Sequence, residues 1–412
     1  MSATHQPNCT SNPAHLYVAL EMGMAKWKVC STTAVGQKPR TKSVDARRMD
    51  LVMEEIRRAK ARFGLPAEAE VHVCYEAGRD GFWAYRWLTR QGLDTVLVDS
   101  SSIEVNRRQK RAKTDRVDGE KLAIMLVRYQ EGDRRVWSVV QVPSVEEEDA
   151  RQLHRELKTL RGERTKHINR MKGLLIGMGI DVRGMAGMPG ERLAALRLSW
   201  DTQTDPQGAP LPAGLRERLG RENERLELVE RQIEALEEQR AEVIGRGSGV
   251  CVEKVRRLLN LHAVGVTTAW TLVMEFFGWR TFRNRREVGS LSGLVPVPYD
   301  SGGSERSQGI SKAGNPRVRA LMIELGWGWV RWQEGSALSR WYGQRFAGGS
   351  KRQRKIGIVA LARKLIVALW RYVETGEPPE GAKLVDWRTK IPWRLQQELE
   401  EELESCLAGE VT

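Results

Sequence analysis

Lys113-Thr114-Asp115-Arg116-Val117-Asp118 runs directly into Gly119-Glu120-Lys121-Leu122-Ala123. The residues after Thr114 read as a helix with Thr114 as its N-cap. On that helix Asp115 and Asp118 stand three apart on one face, their Cβ atoms about 5–6 Å from each other. Two carboxylates that close repel, and water, a basic partner or a divalent cation must offset the repulsion. Taken alone, the pattern more often marks a solvated helix start, where acids also suit the helix dipole. Its surroundings reverse that balance. Arg107, Arg108, Lys110, Arg111 and Lys113 lead into it. Bases beside an acidic cluster suit a phosphodiester: the cations hold the backbone and metal ions hold the reacting phosphate.

Upstream, the pattern mixes strands and helices. Leu16-Tyr17-Val18-Ala19-Leu20 is a short apolar run with the length of a buried strand, ending at Glu21. Lys26 to Ser31 alternates as a second strand, and the two form a hairpin. A helix is predicted from Asp45 to Phe63, closed by Gly64 and Pro66. Val71 to Tyr75 is a third strand with Glu76 just past it, a helix follows from about Gly81 to Gln91, and Thr95 to Val98 is a further strand. This order predicts an α/β or α+β layer. Sites in open α/β sheets form at strand ends. Glu21 and Glu76 at strand ends, with Asp115 and Asp118 on the following helix, are therefore a candidate set for one or two Mg²⁺ ions.

Composition points the same way. The 412 residues carry a net charge of +14, with pI near 9.7. That excess suits a polyanion, nucleic acid first. There is no apolar run of membrane length and no lipidation motif, so a membrane partner is not expected. Cys9, Cys30, Cys74, Cys251 and Cys406 are widely spaced and form no CxxC pair, which argues against a disulfide scaffold and a cysteine zinc site. A cytoplasmic protein with a disordered tail over 1–14 is the expectation.

Downstream of about 145 the pattern becomes helical. Glu146 to Ile180 is a long basic helix whose Arg151, Arg155, Arg161, Arg164, Lys166 and Arg170 either track a nucleic-acid backbone or form a solvated face. Trp200 to Gly214 reads as a loop. Gly220 to Ile244 shows a heptad: Leu219, Leu226, Ile233 and Arg240 on one seam, Val229, Leu236 and Val243 on the other. That predicts a coiled coil, within the chain or between subunits. Leu258 to Trp270 has the form of a helix-hairpin-helix or of a packed helical turn. Residues 301–375 hold 14 Lys+Arg against 4 Asp+Glu. Trp327, Trp329, Trp332 and Trp341 interleave with these bases; most are expected in the core, the rest free to stack on nucleotides. Lys351, Arg352, Arg354 and Lys355 are expected in a basic loop contacting phosphate, with a helix from Ile356 to Val373. The tail to Thr412 is expected to be a loosely attached acidic helix.

Two multi-residue motifs, in order, make the chain resemble the DEDD transposases, insertion-sequence recombinases whose relatives include the Piv-type DNA invertases. The family's first strand ends Gly-Ile-Asp; here it is Ala19-Leu20-Glu21, so Glu21 takes that place with one methylene more. The family's Glu matches Glu76, and its Lys-x-Asp-x-x-Asp matches Lys113 to Asp118. Asn169 to Leu175 is similar to its Asn-x-x-x-Gly-Leu-Leu. The second motif runs from Gly293-Leu294-Val295-Pro296 through Ser301-Gly302-Gly303 to Gly309-Ile310-Ser311-Lys312-Ala313-Gly314-Asn315.

The resemblance, over about residues 16 to 375, implies an RuvC-like N-terminal domain of the RNase H fold over 15–145. A helical connector with a coiled coil follows over 146–250, then a mainly α transposase domain over 251–377 and a tail over 378–412. It implies Mg²⁺ or Mn²⁺ held by Glu21, Glu76, Asp115 and Asp118. It implies a nucleophilic Ser301 that attacks DNA and forms a phosphoserine link. Family members often carry a second serine just before this one, where the chain has Asp300; Ser304 is the alternative nucleophile. Lys312 joins the bases expected to bind nucleic acid. Implied partners are DNA, a structured guide RNA encoded in the element, and further copies of the chain as a dimer or tetramer, with a composite site shared between domains and subunits. Two other readings stay open: a Holliday-junction-type Mg²⁺ nuclease that uses water, and a non-catalytic nucleic-acid-binding protein.

Overall fold

Leu16–Met22 (β1) is the central strand of a five-stranded sheet. Its apolar residues are buried on both faces, as a strand covered by helices on each side must be. The computed structural model describes residues 15–78, 81–103, 115–182, 204–301 and 304–409. The chain divides into two compact units, Met1–Ser144 and Val145–Thr412.

In the first unit β1 pairs antiparallel with β2 (Lys26–Thr32), which pairs antiparallel with β3 (Arg40–Asp45). On its other side β1 pairs parallel with β4 (Val71–Glu76), and β4 with β5 (Asp94–Val98). The order is β3-β2-β1-β4-β5. Strand β3 is absent from the sequence reading because it is a polar edge strand: of its six residues only Val44 is buried. Helices α1 (Met49–Arg62) and α2 (Trp83–Arg90) cover one face through Val52, Ile56, Ala84 and Leu88. Helix α3 (Asp115–Gln130) covers the other, packing Leu122, Ala123 and Leu126 against Tyr17, Ala19, Cys30 and Cys74. This is the mixed α/β layer that the element order predicts.

The second unit is mainly helical. After α4 (Val145–Asp149), α5 (Gln152–Ile176) pairs with the long α6 (Ala213–Arg246). The pairing is antiparallel, since Arg161 meets Glu237, Arg164 meets Glu230 and His167 meets Glu222. Leu219 and Leu226 of the heptad, with Leu215 before it, cluster with Met171 and Leu175 of α5. That part of the seam is covered from within the chain. Most of the basic side chains expected to track a backbone have partners inside the unit. Arg155 is on Glu275, Arg170 on Glu222, and Arg151 is buried over Trp279.

The main core lies further on, among α7 (Val250–Leu259), α8 (Val266–Leu272), α9 (Arg285–Leu291), α10 (Pro316–Trp332), α11 (Ala337–Tyr342) and α12 (Lys351–Thr375). Trp329 is fully buried in it, while Trp327 and Trp332 are exposed. The terminal segment is anchored rather than loose. Lys390 donates to the carbonyls of Leu261 and Val264 at 2.7 and 2.8 Å. Leu395 of α13 (Trp393–Gly409) is buried against Gly245, and Arg246 pairs with Glu398 and Glu402.

Helix α3 approaches the sheet most closely at Gly119. A methyl group there would lie 2.6 Å from Cys30 Sγ and 3.8 Å from Glu21 Cβ. Only glycine allows the helix to lie this low. Alanine gains about 1 kcal/mol of helix propensity, but overpacking costs about 1–3 kcal/mol. Cys30→Ala removes the sulfur and leaves a Cβ at 3.7 Å, an ordinary contact. Gly119→Ala is therefore expected to destabilise the protein alone and to be tolerated with Cys30→Ala, giving a coupling of about 1 kcal/mol or more in a urea double-mutant cycle. Additive effects would rule out this contact as the limit on helix approach.

Candidate active site

Leu20 of β1 pairs with Tyr75 of β4, so Glu21 and Glu76 are the next residues on adjacent parallel strands. Side chains alternate along a strand. Tyr17 and Ala19 on β1, and Cys74 on β4, belong to the core under α3, so Glu21 and Glu76 share that face. Gly119 brings the start of α3 against Glu21, and half-exposed Asp118 is the residue before it. Glu21 and Glu76 thus end adjacent strands on the face that α3 covers, and Asp118 precedes the glycine at which that helix meets Glu21. Asp115 opens the same helix; its side chain lies outside the described residues. The donors are all oxygens, the set that Mg²⁺ takes. Lys28 stands opposite Glu21 on β2. Sequence reasoning passes over it, because only the hairpin register puts it there.

The thiols beneath this site are inert. Burial raises the pKa of both Cys30 and Cys74, so they stay protonated and serve as packing.

In the second unit Ser301 is the last residue of β6 (Pro296–Ser301) and pairs with Ser304, the first of β7 (Ser304–Ile310). The two candidate nucleophiles flank the tip of one hairpin; their side chains lie outside the described residues. The flanking glycine motifs interlock. Gly293 and Gly314 both have positive φ, at 69° and 86°. A Cβ on Gly293 would lie 2.1 Å from the Ala313 carbonyl oxygen, and one on Gly314 2.0 Å from that of Leu291. The backbone N–H groups of Ser311 and Lys312 donate to Val295 and Gly293.

Arg107, Arg108, Lys110, Arg111 and Lys113 lie outside the described residues. Lys312 is exposed and takes positive φ at 56°. Lys351, Arg352, Arg354 and Lys355 are exposed too, but they form the first turn of α12 rather than a loop. The correction has a local cause: Ser350 and Gln353 form a capping box, which starts the helix five residues early despite the clustered charge. A basic cleft of about 840 Å³, unforeseen from sequence, adjoins Val295 and is lined by Arg285, Arg286, Arg363, Lys364 and Arg371. Its cations come from two helices, so no contiguous run announces it.

Residues 255–342 match the family model described as Transposase IS116/IS110/IS902 family. The chain is 40% identical to a putative transposase, y4rJ, of Sinorhizobium fredii over 380 residues, 89% of this chain and 94% of the relative. It is 31% identical to a probable family 20 transposase of Pseudomonas aeruginosa, covering 56% of this chain and 65% of the relative. A transposase for insertion sequence element IS1328 of Yersinia enterocolitica is 28% identical, covering 55% and 64%.

The matched span contains a buried acid. Glu275, 1% exposed, lies in a π-helical turn (Val273–Phe277). It accepts hydrogen bonds from His154 Nε2 at 2.9 Å, Arg155 Nε at 2.8 Å and Asn315 Nδ2 at 3.1 Å. Burial alone would raise its pKa, but the bonds from His154 and Arg155 and the Arg155 charge outweigh this and hold it far below the usual carboxylate range. Asn315 also caps α10, accepting from the N–H groups of Arg317 and Val318. Aspartate caps a helix as well as asparagine does, yet it would face Glu275. Asn315→Asp is thus expected to cost about 2 kcal/mol or more. A neutral effect would show that capping is its whole role. Because the Glu275 pKa is depressed, its contribution to stability is complete above about pH 4.5 and is lost as pH falls. Glu275→Gln should flatten that limb in unfolding curves taken from pH 7 to 3.

Proposed function

The chain belongs to the IS116/IS110/IS902 transposase family, and from that premise we propose how its two units carry out the cutting and rejoining of DNA. The observation that carries the reading is the placement of Glu21 and Glu76 at the ends of adjacent strands, on the face where Gly119 of α3, next to Asp118, meets Glu21. It supports an RuvC-like, RNase H-type reading of that unit: adjacent parallel strands end in carboxylates, and a helix crossing the same face supplies more. Glu21, Glu76, Asp118 and Asp115 hold Mg²⁺ or Mn²⁺. An ion there supplies positive charge to the scissile phosphate and to the oxygen leaving it. Glu21 does this with a longer side chain than the aspartate of its relatives, so Glu21→Asp should keep or raise activity.

Ser301 is the nucleophile. Its Oγ attacks the phosphorus, the bond to the adjoining deoxyribose oxygen breaks, and the phosphodiester energy is kept in a phosphoserine. A second DNA hydroxyl then attacks that link, forms the new junction and frees Ser301. The place of Ser301 at the end of β6, inside the span matching the family model, supports this role. Lys312, the exposed bases opening α12, and Arg107 to Lys113 hold nucleic acid. A structured RNA chooses the DNA target, and the active form is a homo-oligomer.

Denaturing gels of labelled cognate DNA with Mg²⁺ test the chemistry. Wild type should form a covalent protein–DNA adduct, and Ser301→Ala should lose adduct and strand exchange while still binding DNA. Cutting without adduct in Ser301→Ala would indicate water as the nucleophile. An adduct lost only in Ser304→Ala would move the role across the hairpin. Asp118→Asn should abolish cleavage with folding intact, because an amide does not balance the ion's charge. DNA affinity should fall steeply with salt, the logarithmic slope dropping by about 0.9 for each phosphate-contacting base removed. RNA of one defined length should accompany the purified protein.

A further inference from the structure

The opposite end of the same sheet carries a second set of ligating side chains. His15 lies just before β1, His72 on β4, and Glu70 just before β4. His15 Nδ1 lies 3.1 Å from His72 Nε2 and 3.3 Å from Glu70 Oε2, and the remaining edge, His72 Nε2 to Glu70 Oε2, is 3.9 Å. Three ligand atoms on one tetrahedral ion at about 2.0–2.1 Å are separated by about 3.3 Å. Two edges of the observed triangle are close to that length, and the third, at 3.9 Å, is longer.

The proton arrangement also fits. The other ring nitrogen of His72, Nδ1, is 2.6 Å from Asp94 Oδ2, at the start of β5. With the proton on Nδ1 donated in a hydrogen bond to this carboxylate, the Nε2 lone pair faces His15 and Glu70; Gln130 Nε2 also lies 3.1 Å from Nδ1. Asp94 is itself fixed by a 2.7 Å hydrogen bond from Gln130 Nε2, the last residue of α3. Tyr17 stacks on the His72 ring at 5.2 Å and 19°. His72 is thus oriented from both sides, and its side chain is only 12% exposed.

We infer that His15, His72 and Glu70 bind a zinc-class divalent ion, with Asp94 orienting His72. The two-imidazole donor set separates this site from the all-oxygen set at Glu21 and Glu76, which suits Mg²⁺. From His15 to Glu21 is six residues of strand, about 20 Å. The ion therefore does not reach the reacting phosphate; it ties the starts of β1 and β4 together. One coordination position stays open to water.

The test uses untagged full-length protein, stripped with a chelator and re-equilibrated with Zn²⁺ in millimolar Mg²⁺ to saturate the carboxylate end. Wild type should retain one Zn²⁺ per chain after gel filtration and show raised thermal stability. With Co²⁺ it should show the strong visible absorption of tetrahedral cobalt. His72→Gln and His15→Ala should each lose the ion, and Asp94→Asn should weaken it about 10–100-fold. Glu76→Gln should keep it. Glu70→Gln alters an exposed side chain, so its loss of affinity cannot be ascribed to misfolding. Absence of Zn²⁺ from folded wild type at micromolar free metal would overturn the assignment. So would equal content in wild type, His15→Ala and Glu70→Gln, or a loss that follows Glu76→Gln instead.

Discussion

A carboxylate removed from water has to be matched by donors and positive charge, and in the second unit Glu275 imposes that demand on two distant segments. His154 and Arg155 come from α5, Asn315 from the start of α10, and Glu275 itself from the π-helical turn after α8. Removing one partner of such a set leaves a buried charge uncompensated, which costs about 3–5 kcal/mol. The glycine contacts at Gly293 and Gly314 fix the same region sterically. Together they hold rigid the backbone from which the β6–β7 hairpin projects. A side chain carried on a hairpin is held in place only as firmly as the base of that hairpin.

The first unit applies a different constraint to the same end. Strand register and helix packing set the positions of its strand-end carboxylates. Parallel pairing of Leu20 with Tyr75 makes Glu21 and Glu76 the next residues on adjacent strands, and the absence of a side chain at Gly119 lets α3 lie close to Glu21. Helix α3 spans the sheet, with Gly119 near the carboxylates at one end and Gln130 beside His72 and Asp94 at the other. A metal ion at the histidine end would stiffen the sheet that carries Glu21 and Glu76.

Much of this was legible in the residues because it depends on local pattern. The strands β1, β2, β4 and β5, the helices over 49–62 and 83–90, and the switch to helices after about 145 follow from apolar periodicity. So does the acidic set, since acids at strand ends and at a helix start are local features. The misreadings are local conflicts. Strand β3 has too few buried residues to show a pattern, and the Lys351–Lys355 charge run hid the capping box at Ser350. The terminal segment is acidic, yet Lys390 and Leu395 anchor it.

By itself, then, the sequence determined which residues can form strands and helices, which carry charge, and which two motifs mark the family. It did so because propensity, alternation and capping act within a few residues. What only the tertiary structure decided is which of those residues meet. The placement of Glu21 and Glu76 on adjacent strands, Lys28 opposite Glu21, the donors around Glu275, the basic cleft between α9 and α12, and the His15–Glu70–His72 triangle all join residues far apart in the chain. Strand register and close packing bring them together, and neither is written in any one stretch.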